Sequence, residues 1–276
     1  MSVVLHTASV DEGLRLWPAV NAEHIFGSAQ EFAAYRDAAP WRLRVSDKGM
    51  ASLLGAWRTH LGVLAMRGVW CAERHVPAIC DDVFAVAAAH GFTQVLSPLM
   101  PVGRLGGFRR AGMQVFQRVV AIQGAPGLIL PSAPPLDVVF RPAEPSDARA
   151  LAELDARCFE PFWRYGAEEL AVLLGSERGV VADAGAGELL GYTLATMRKG
   201  AATLGRLAVA PSGRRCGIGR ALVADAATWA AARGALTLGL CTQEDNAASR
   251  ALYAASGLRE VEERYALAIS DVEERP

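Results

Sequence analysis

The chain has 276 residues, 52% of them hydrophobic, and its 28 basic and 29 acidic residues leave a formal net charge of −1. This length exceeds what one hydrophobic core usually serves, so we expect two domains. The near-neutral charge and the lack of a basic stretch argue against nucleic acid or a membrane surface as a partner, and no apolar run approaches the roughly 20 residues that span a bilayer.

The cysteines indicate a reducing compartment. Their number is odd and they show no paired metal-ligand spacing, which favours free thiols over disulfides or a metal site; they are Cys71, Cys80, Cys158, Cys216 and Cys241. The N-terminus lacks the charged and apolar regions of a signal peptide. The frequent Ala, Arg and Gly residues are typical of a GC-rich bacterial genome. We therefore expect a cytoplasmic bacterial protein without a bound metal.

The first half of the chain mixes short strands with helices. A strand is predicted over 3–7, helices over 14–25 and 29–38, strands between 41 and 66, and a helix over 79–90. A proline-rich segment follows, and its four prolines within 124–136 favour an extended, semi-rigid connection. We therefore predict one domain over 1–123, a linker over 124–136 and a second domain over 137–276.

The second half begins with a predicted strand over 138–142 and a helix that carries Leu151, Leu154 and Cys158. An aromatic segment follows this helix, with four aromatic side chains within 159–165. Clustered aromatics either line a pocket or fill a core, and both interpretations stay open here. Glu160 within the segment could attract a cation, although a solvated surface carboxylate is the simpler interpretation.

A glycine-containing loop comes after the next predicted strand. Residues 203–209 have the length of a strand, and Pro211 ends it. Apolar residues then recur at the spacing of one helical face, namely Ile218, Leu222, Val223, Ala226, Trp229 and Ala230. Gly217 and Gly219 therefore stand at the beginning of a helix.

A helix start of this kind can bind an anion. Its first N–H groups lack intrahelical partners and carry about half a positive charge. Glycines permit close approach of the backbone, and Arg214, Arg215 and Arg220 add positive charge around it. A P-loop and a dinucleotide fingerprint are excluded because the lysine and the third glycine are missing. The pattern predicts a pyrophosphate site, and a plain glycine-softened helix start is the alternative.

One more strand and helix follow. The strand is predicted over 236–241, and Asp245 or Asn246 can cap the next helix, which ends at Gly257 in a left-handed conformation. Tyr253 lies on this helix and is therefore held on a rigid element.

The glycine-containing loop with its helix and the later strand with its helix together resemble the GNAT acyltransferase superfamily. Arg214, Gly217 and Gly219 match the three positions of its signature, and the helix from Asn246 to Tyr253 matches its second motif. The resemblance covers residues 137–270, about half of the chain, and its motifs resemble most those of ribosomal-protein N-terminal acetyltransferases. It implies an α/β (α+β) fold of two tandem GNAT-like domains, each a mixed, mostly antiparallel, twisted sheet flanked by helices.

The first half looks like a degenerate copy of the same domain. Its counterpart of the glycine loop, residues 69–78, has no glycine pair and places Glu73 where an anion would be repelled. Aligning Gly112 with Gly257 puts Phe108 opposite Tyr253. We therefore expect this half to be structural or to shape the acceptor site.

The resemblance implies an N-acetyltransferase that moves an acetyl group from acetyl-CoA directly to an amine, which could be a small amine, an amino-sugar antibiotic or a peptide N-terminus. Tyr253 would protonate the leaving thiolate. The backbone of one strand would pair with the pantetheine arm. The implied cofactor-binding residues are Leu207, Ala208 and Val209 of that strand, Arg214, Arg215, Cys216, Gly217, Ile218, Gly219 and Arg220 of the loop, and Asn246.

The acceptor side and the general base are less well defined. Phe159, Glu160 and Trp163 resemble the subgroup's acceptor-binding pattern and are implied to contact the substrate. The subgroup carries a glutamate where this chain has Cys241, and all five histidines lie in the first half. Glu160, Glu244 and a water chain remain candidates for the base.

Two alternatives therefore stay open beside the acetyltransferase. One is a regulatory module that binds acyl-CoA without catalysis, and the other is a transferase that uses a different acyl donor. The oligomeric state is not predicted by the sequence.

Overall fold

The structure is a computed structural model that describes residues 4–23, 25–58, 60–185 and 187–273, with only the backbone described at positions 60 and 61. The chain divides into two compact units. Unit 1 comprises Met1–Arg118 and Tyr265–Pro276, and unit 2 comprises Val119–Arg264.

The first half of the chain contains seven strands and four helices among the described residues. In chain order they are β1 (His6–Thr7), α1 (Val10–Ala22), α2 (Ala29–Ala38), β2 (Leu43–Val45), β3 (Ala51–Trp57), β4 (His60–Trp70), α3 (Val76–Ala89), β5 (Gln94–Leu96), β6 (Met100–Pro101), α4 (Gly106–Arg110) and β7 (Gln114–Gly124). The predicted order is confirmed for the described residues, whereas positions 3 and 24 of two predicted elements lie outside them.

The second half contains six strands and four helices in the described ranges. They are β8 (Val139–Pro142), α5 (Ala148–Cys158), α6 (Ala167–Ser176), β9 (Arg178–Asp183), β10 (Leu189–Arg198), β11 (Ala201–Val209), α7 (Ile218–Ala232), β12 (Thr237–Gln243), α8 (Ala247–Ala255) and β13 (Arg259–Asp271).

Each unit contains a mixed, mostly antiparallel sheet. In unit 1 the strand order is β1-β2-β3-β4-β5-β13, and the neighbours β4 and β5 are parallel. In unit 2 the order is β7-β12-β11-β10-β9-β8, and β11 and β12 are parallel. Counted from β1 in unit 1 and from β8 in unit 2, the fourth and fifth strands form the parallel pair in both orders. This is the repeat that the sequence predicts, so the predicted fold class is confirmed.

Helices cover both faces of the unit 2 sheet. Successive strand residues point to opposite faces. A Cβ on Gly191 of β10 would meet Leu222 and Ile218 of α7, whereas its neighbour Tyr192 belongs to the hydrophobic cluster that contains residues of α5 and α6. The residues that α7 buries are Ile218, Ala221, Leu222, Val223, Ala224, Ala226, Ala227 and Ala230.

The unit boundaries differ from the linear ones that we expected at 123 and 137. Residues 119–124 of β7 pair with β12 and belong to unit 2, whereas residues 265–271 of β13 pair with β5 and β6 and belong to unit 1. Each unit thus takes its last strand segment from the other half of the chain. Part of the expected linker is also ordered against unit 2, because Ile129 lies in one of its hydrophobic clusters.

The remaining structural expectations concern membranes, metals and thiols. Every helix in the described ranges is too short or too polar to cross a bilayer. Within the same ranges, no three His, Cys, Asp or Glu side chains converge as metal ligands. None of the five cysteines forms a disulfide in the described ranges.

Candidate functional site

The two parallel strands of unit 2 separate along their length. β11 and β12 pair at only three positions, from Ala201–Thr237 to Thr203–Gly239. Beyond them β11 stays paired with β10 as far as Val209, and β12 stays paired with β7 as far as Gln243. The facing edges therefore diverge and leave backbone groups of Leu207, Ala208 and Val209 without a neighbouring strand. An extended ligand can pair with such an edge as an additional strand does.

A bulge lies at the point where the two strands diverge. The pairing of β11 with β10 skips Gly205, since Leu194 faces Arg206 and Ala195 faces Leu204. The extra residue reverses which side chains point to which face. Leu204 belongs to the cluster beneath α7, whereas Ala208 belongs to the cluster beneath α5 and α6.

The loop after β11 ends in an open helix start. Arg215 and Gly217 both have left-handed backbones, with φ of +64° and +89°. The first N–H of α7 that finds an intrahelical acceptor is that of Ala221, which donates to Gly217 O at 3.0 Å. Among the described residues no side chain caps this helix, and its first turn holds no acidic residue. The N–H groups of residues 218–220 are thus left for an external acceptor.

Positive charge surrounds this helix start. Arg214, Arg215 and Arg220 are exposed. Arg214 folds back so that its Nε donates to Val209 O at 3.2 Å. In the described part of the chain none of the three arginines forms an ion pair. An anion at the α7 start would therefore meet both unpaired N–H groups and uncompensated cations.

Helix α8 packs against the beginning of α7. A Cβ on Gly219 would lie 3.2 Å from Leu252 Cδ2, so glycine at this position permits the close approach. Asn246 caps α8 by accepting from Ser249 N–H at 3.0 Å, as the sequence predicts. Gly257 follows the helix with φ of +90°, again as predicted.

Tyr253 is the buried residue of α8. It lies in the cluster that contains Leu204, and Leu207 packs against the same cluster. Burial raises the pKa of Tyr253 to about 12. The phenol is therefore protonated at neutral pH and can only donate a proton there.

A buried ion pair connects β11 to α5. Arg206 donates from Nε and Nη2 to the two carboxylate oxygens of Asp155 at 2.8 and 2.5 Å, and Tyr192 donates to Oδ1 of the same carboxylate at 2.5 Å. Burial alone would lower the pKa of Arg206, but the bonds to Asp155 raise it. A buried pair of this kind is costly to break from one side, because the remaining charge would have no partner.

The same pair holds the aromatic segment in place. Arg206 Cζ lies 3.4 Å from the centroid of the Phe159 ring and 4.6 Å from that of Tyr165. Nη2 of Arg206 also donates to Trp163 O at 2.9 Å, and Asp155 accepts from the Tyr165 N–H at 2.9 Å. Phe159 and Trp163 are half-buried, and Glu160 is exposed. The three predicted acceptor residues thus sit on a segment anchored directly to the bulged strand.

Asp155, Tyr192 and Arg206 were not predicted from the sequence. Each of the two charged residues stands out in its own element of the sequence. Arg206 interrupts the inward positions of a strand, and Asp155 interrupts the apolar face of a helix. Each is expensive to bury alone, so together they indicate a pair. The two residues lie 51 positions apart, so their pairing cannot be predicted from the pattern of one helix or one strand.

The two carboxylates that the sequence offers as a base have different positions. Glu244 lies 3.6 Å from Arg264 in an ion pair, and Glu160 is exposed on the aromatic segment. Cys241, which stands where the resemblance implies a glutamate, is exposed on β12. Neither carboxylate is brought beside the bulge by a contact in the described ranges.

Comparison with known proteins agrees with these features. A family model described as Acetyltransferase (GNAT) family matches residues 148–258, which run from the beginning of α5 past the end of α8. The separated strands and the open helix start both lie within this range. The chain therefore contains a GNAT-family domain at residues 148–258. A comparison with curated protein sequences gives no significant match.

Solved structures share the fold over both units. A GCN5-related N-acetyltransferase from Sphaerobacter thermophilus is 18% identical with a TM-score of 0.66, covering 99% of this chain and 96% of that one. A tandem GNAT protein from the clavulanic acid biosynthesis pathway is 15% identical with a TM-score of 0.70, covering 100% and 99%. At these identities the similarity establishes the fold, which is that of two tandem GNAT-like domains.

Proposed function

We propose that the protein is an N-acetyltransferase that uses acetyl-CoA and transfers the acetyl group directly to an amine. The observation that carries this proposal is the gap between β11 and β12, which ends at the uncapped start of α7. A thioester carrier has an extended amide-containing arm that ends in a diphosphate. The gap between β11 and β12 can accommodate the arm, and the start of α7, at the end of this gap, can bind the diphosphate.

Each residue then has a defined part in binding. The edge of Leu207, Ala208 and Val209 pairs with the amides of the arm. The N–H groups from Cys216 to Arg220 bind the diphosphate, with Arg214, Arg215 and Arg220 adding charge-assisted bonds worth about 1.5 to 3 kcal/mol each. Asn246 uses its side-chain oxygen to cap α8, which leaves its amide N–H groups to donate to the arm.

The chemistry assigned to Tyr253 is protonation of the leaving thiolate. A phenol with a pKa of about 12 holds its proton at neutral pH, so Tyr253 is in the form that can donate a proton to the thiolate as the C–S bond breaks. Transfer needs no covalent intermediate on the protein, so positioning of the amine against the thioester supplies most of the rate.

The acceptor amine approaches along the anchored aromatic segment. Phe159 and Trp163 offer half-buried ring surface, and Glu160 offers an exposed carboxylate that attracts a cation. A small amine, an amino sugar or a peptide N-terminus fits this chemistry. The expected setting is the bacterial cytoplasm, where acetyl-CoA is available.

A thiol-release assay tests the proposal. Purified protein is incubated with acetyl-CoA and a panel of alkylamines, aminoglycosides and peptides, and free CoA is measured. Release that depends on one class of amine supports the transferase. Tight binding of acetyl-CoA without release for any amine would instead favour the binding-only module, and co-purified CoA in a mass spectrum would identify the carrier independently.

A further inference from the structure

A half-buried glutamate lies beside the bulge of β11. Glu177 follows α6, where its N–H donates to Leu173 O at 2.7 Å. Its Oε2 lies 3.9 Å from the position that a Cβ on Gly205 would occupy, and Leu194 O lies at the same distance from that position. The carboxylate therefore reaches the bulge across the space that the missing side chain of residue 205 leaves open.

Glu177 differs from four other half-buried carboxylates of unit 2, each of which has an arginine partner. Asp147 and Asp183 contact Arg141, Asp225 contacts Arg178, and Glu244 contacts Arg264. Glu177 forms no ion pair and no side-chain hydrogen bond with any described residue. A half-buried carboxylate without a fixed partner is costly in a purely structural role.

The arginines around Glu177 do not hold its carboxylate in the charged form. Arg178, its neighbour in sequence, is held by Asp225, and Arg206 of β11 is held by Asp155. Arg198 of β10 is the cation whose charge acts on Glu177 and lowers its pKa, but burial outweighs it and raises the pKa above the ordinary value. A carboxylate in this state takes up a proton more readily than an exposed one.

The position of Gly205 along β11 matches the reactive end of the proposed carrier. Gly205 lies four residues before Val209, at which the pairing of β11 with β10 ends, and four residues span roughly 13 Å at about 3.3 Å per residue. An extended pantetheine arm whose diphosphate sits at the α7 start has a length of this order. The next residue, Arg206, anchors the segment that carries Phe159 and Trp163. The expected position of the thioester, the acceptor segment and the Glu177 carboxylate thus all lie beside Gly205 and Arg206 of β11.

We propose that Glu177 is the general base of this enzyme, which accepts a proton from the ammonium group of a primary alkylamine, directly or through one water. This inference rests on the proposed function and supplies the residue that sequence reasoning left open. It also specifies the acceptor class, because removal of a proton before attack is needed only when the amine arrives as a cation.

The proton and the bonds balance as follows. The ammonium gives one proton to the Glu177 carboxylate, and the neutral amine attacks the thioester carbon. A C–N bond forms and the C–S bond breaks. The thiolate takes the Tyr253 proton, the phenolate regains one from the amide nitrogen through water, and Glu177 releases its proton to solvent.

The test compares Glu177→Gln with wild type and with the matched control Glu168→Gln, which makes the same change on an exposed residue of α6. At pH 7 we expect Glu177→Gln to lower kcat/KM for an alkylamine about 10²-fold or more. In this variant the acidic limb that wild type shows should move to higher pH, and the loss should shrink as the pH approaches about 10, where a substantial share of such an amine is neutral. A weakly basic arylamine should lose far less activity. Calorimetry with acetyl-CoA should give the same affinity for all three proteins.

The outcomes separate this proposal from the function on which it rests. Acetyl-CoA binding with equal turnover and an unchanged acidic limb in Glu177→Gln would overturn the role of Glu177 alone. An equal loss for alkylamine and arylamine at every pH would also overturn it, because that result indicates a structural residue. A wild-type protein without heat for acetyl-CoA, or with heat but no thiol release for any amine, would overturn the proposed function and this inference with it.

Discussion

The starts of α3 in unit 1 and α7 in unit 2 occupy the same place in the two repeats but differ in charge and in open space. Neither helix has a side-chain cap at its N-cap residue, but the α7 start is bordered by three exposed arginines, and a Cβ on Gly217 would meet nothing within 4 Å. At the α3 start, Glu73 is paired with Arg110 at 3.4 Å, and a Cβ on Gly107 of α4 would approach Val76 to 2.6 Å.

The difference separates the parts of the repeat that build the core from the part to which we assign ligand binding. Each unit has a parallel strand pair, and a helix follows the first strand of the pair: α3 follows β4, and α7 follows β11. Both helices bury apolar residues and so contribute to the core of their unit. Only unit 2 keeps a helix start that is open and positively charged. In unit 1 the chain's own carboxylate and α4 occupy the corresponding space, so we expect ligand binding in unit 2 alone.

The largest effect is expected from Gly217→Asp. It places a side chain and a negative charge at the helix start that the diphosphate would occupy, which together cost about 3 to 4 kcal/mol of binding free energy. Affinity for acetyl-CoA should fall roughly 10²- to 10³-fold in calorimetry.

Gly112→Asp is the matched control in unit 1. Gly112 also has a left-handed backbone, with φ of +83°, and open space around its Cβ position. The same substitution there should leave acetyl-CoA affinity unchanged. A similar loss of affinity in both variants would show that general destabilisation, rather than the α7 start, explains the first result.

The next effect is a pH dependence of stability that Tyr253 confers on unit 2. Burial raises its pKa from 10.0 to about 12, so the folded state favours the neutral phenol. This contribution is fully present below pH 10 and is lost as the pH rises to about 12, with a size on the order of 3 kcal/mol. Urea titrations should show that wild type loses more stability than Tyr253→Phe over this interval, and parallel curves would contradict the prediction.

Tyr253→Phe should also lower turnover. The substitution preserves the ring and its packing but removes the proton donor, so kcat should fall about 10²-fold while acetyl-CoA affinity stays the same. Stopped assays with the amine found by the thiol-release screen measure this. Full turnover in the variant would remove Tyr253 from the mechanism.

The smallest effect is expected from the reverse change in unit 1, Phe108→Tyr. Phe108 is fully buried, so the new hydroxyl would lack a partner and would cost about 1 to 3 kcal/mol of stability. Urea denaturation should show this loss, while kcat of the folded protein should not change. A rise in kcat would contradict the inactive state that we assign to unit 1.

Sequence reasoning succeeded where the signal was local. Pro211, Gly217 and Gly257 mark the end of β11, the start of α7 and the end of α8, because each restricts or requires a particular backbone conformation. The same holds for the cap at Asn246. These residues sufficed to identify the open helix start before the fold was known.

The features that sequence reasoning missed depend on distant contacts. The placement of residues 119–124 in unit 2 and of 265–271 in unit 1 follows from strand pairing that no turn residue signals. Glu177 looks like an ordinary residue at a helix end until the bulge at Gly205 is seen beside it. The Asp155–Arg206 pair likewise requires two elements to be placed together.

The most direct measurement is calorimetric titration of the purified wild-type chain with acetyl-CoA. The account predicts binding of one molecule per chain, with that binding lost in Gly217→Asp and retained in Gly112→Asp. Two molecules bound per chain, no heat at all, or undiminished binding in Gly217→Asp would contradict a single acyl-carrier site at the start of α7.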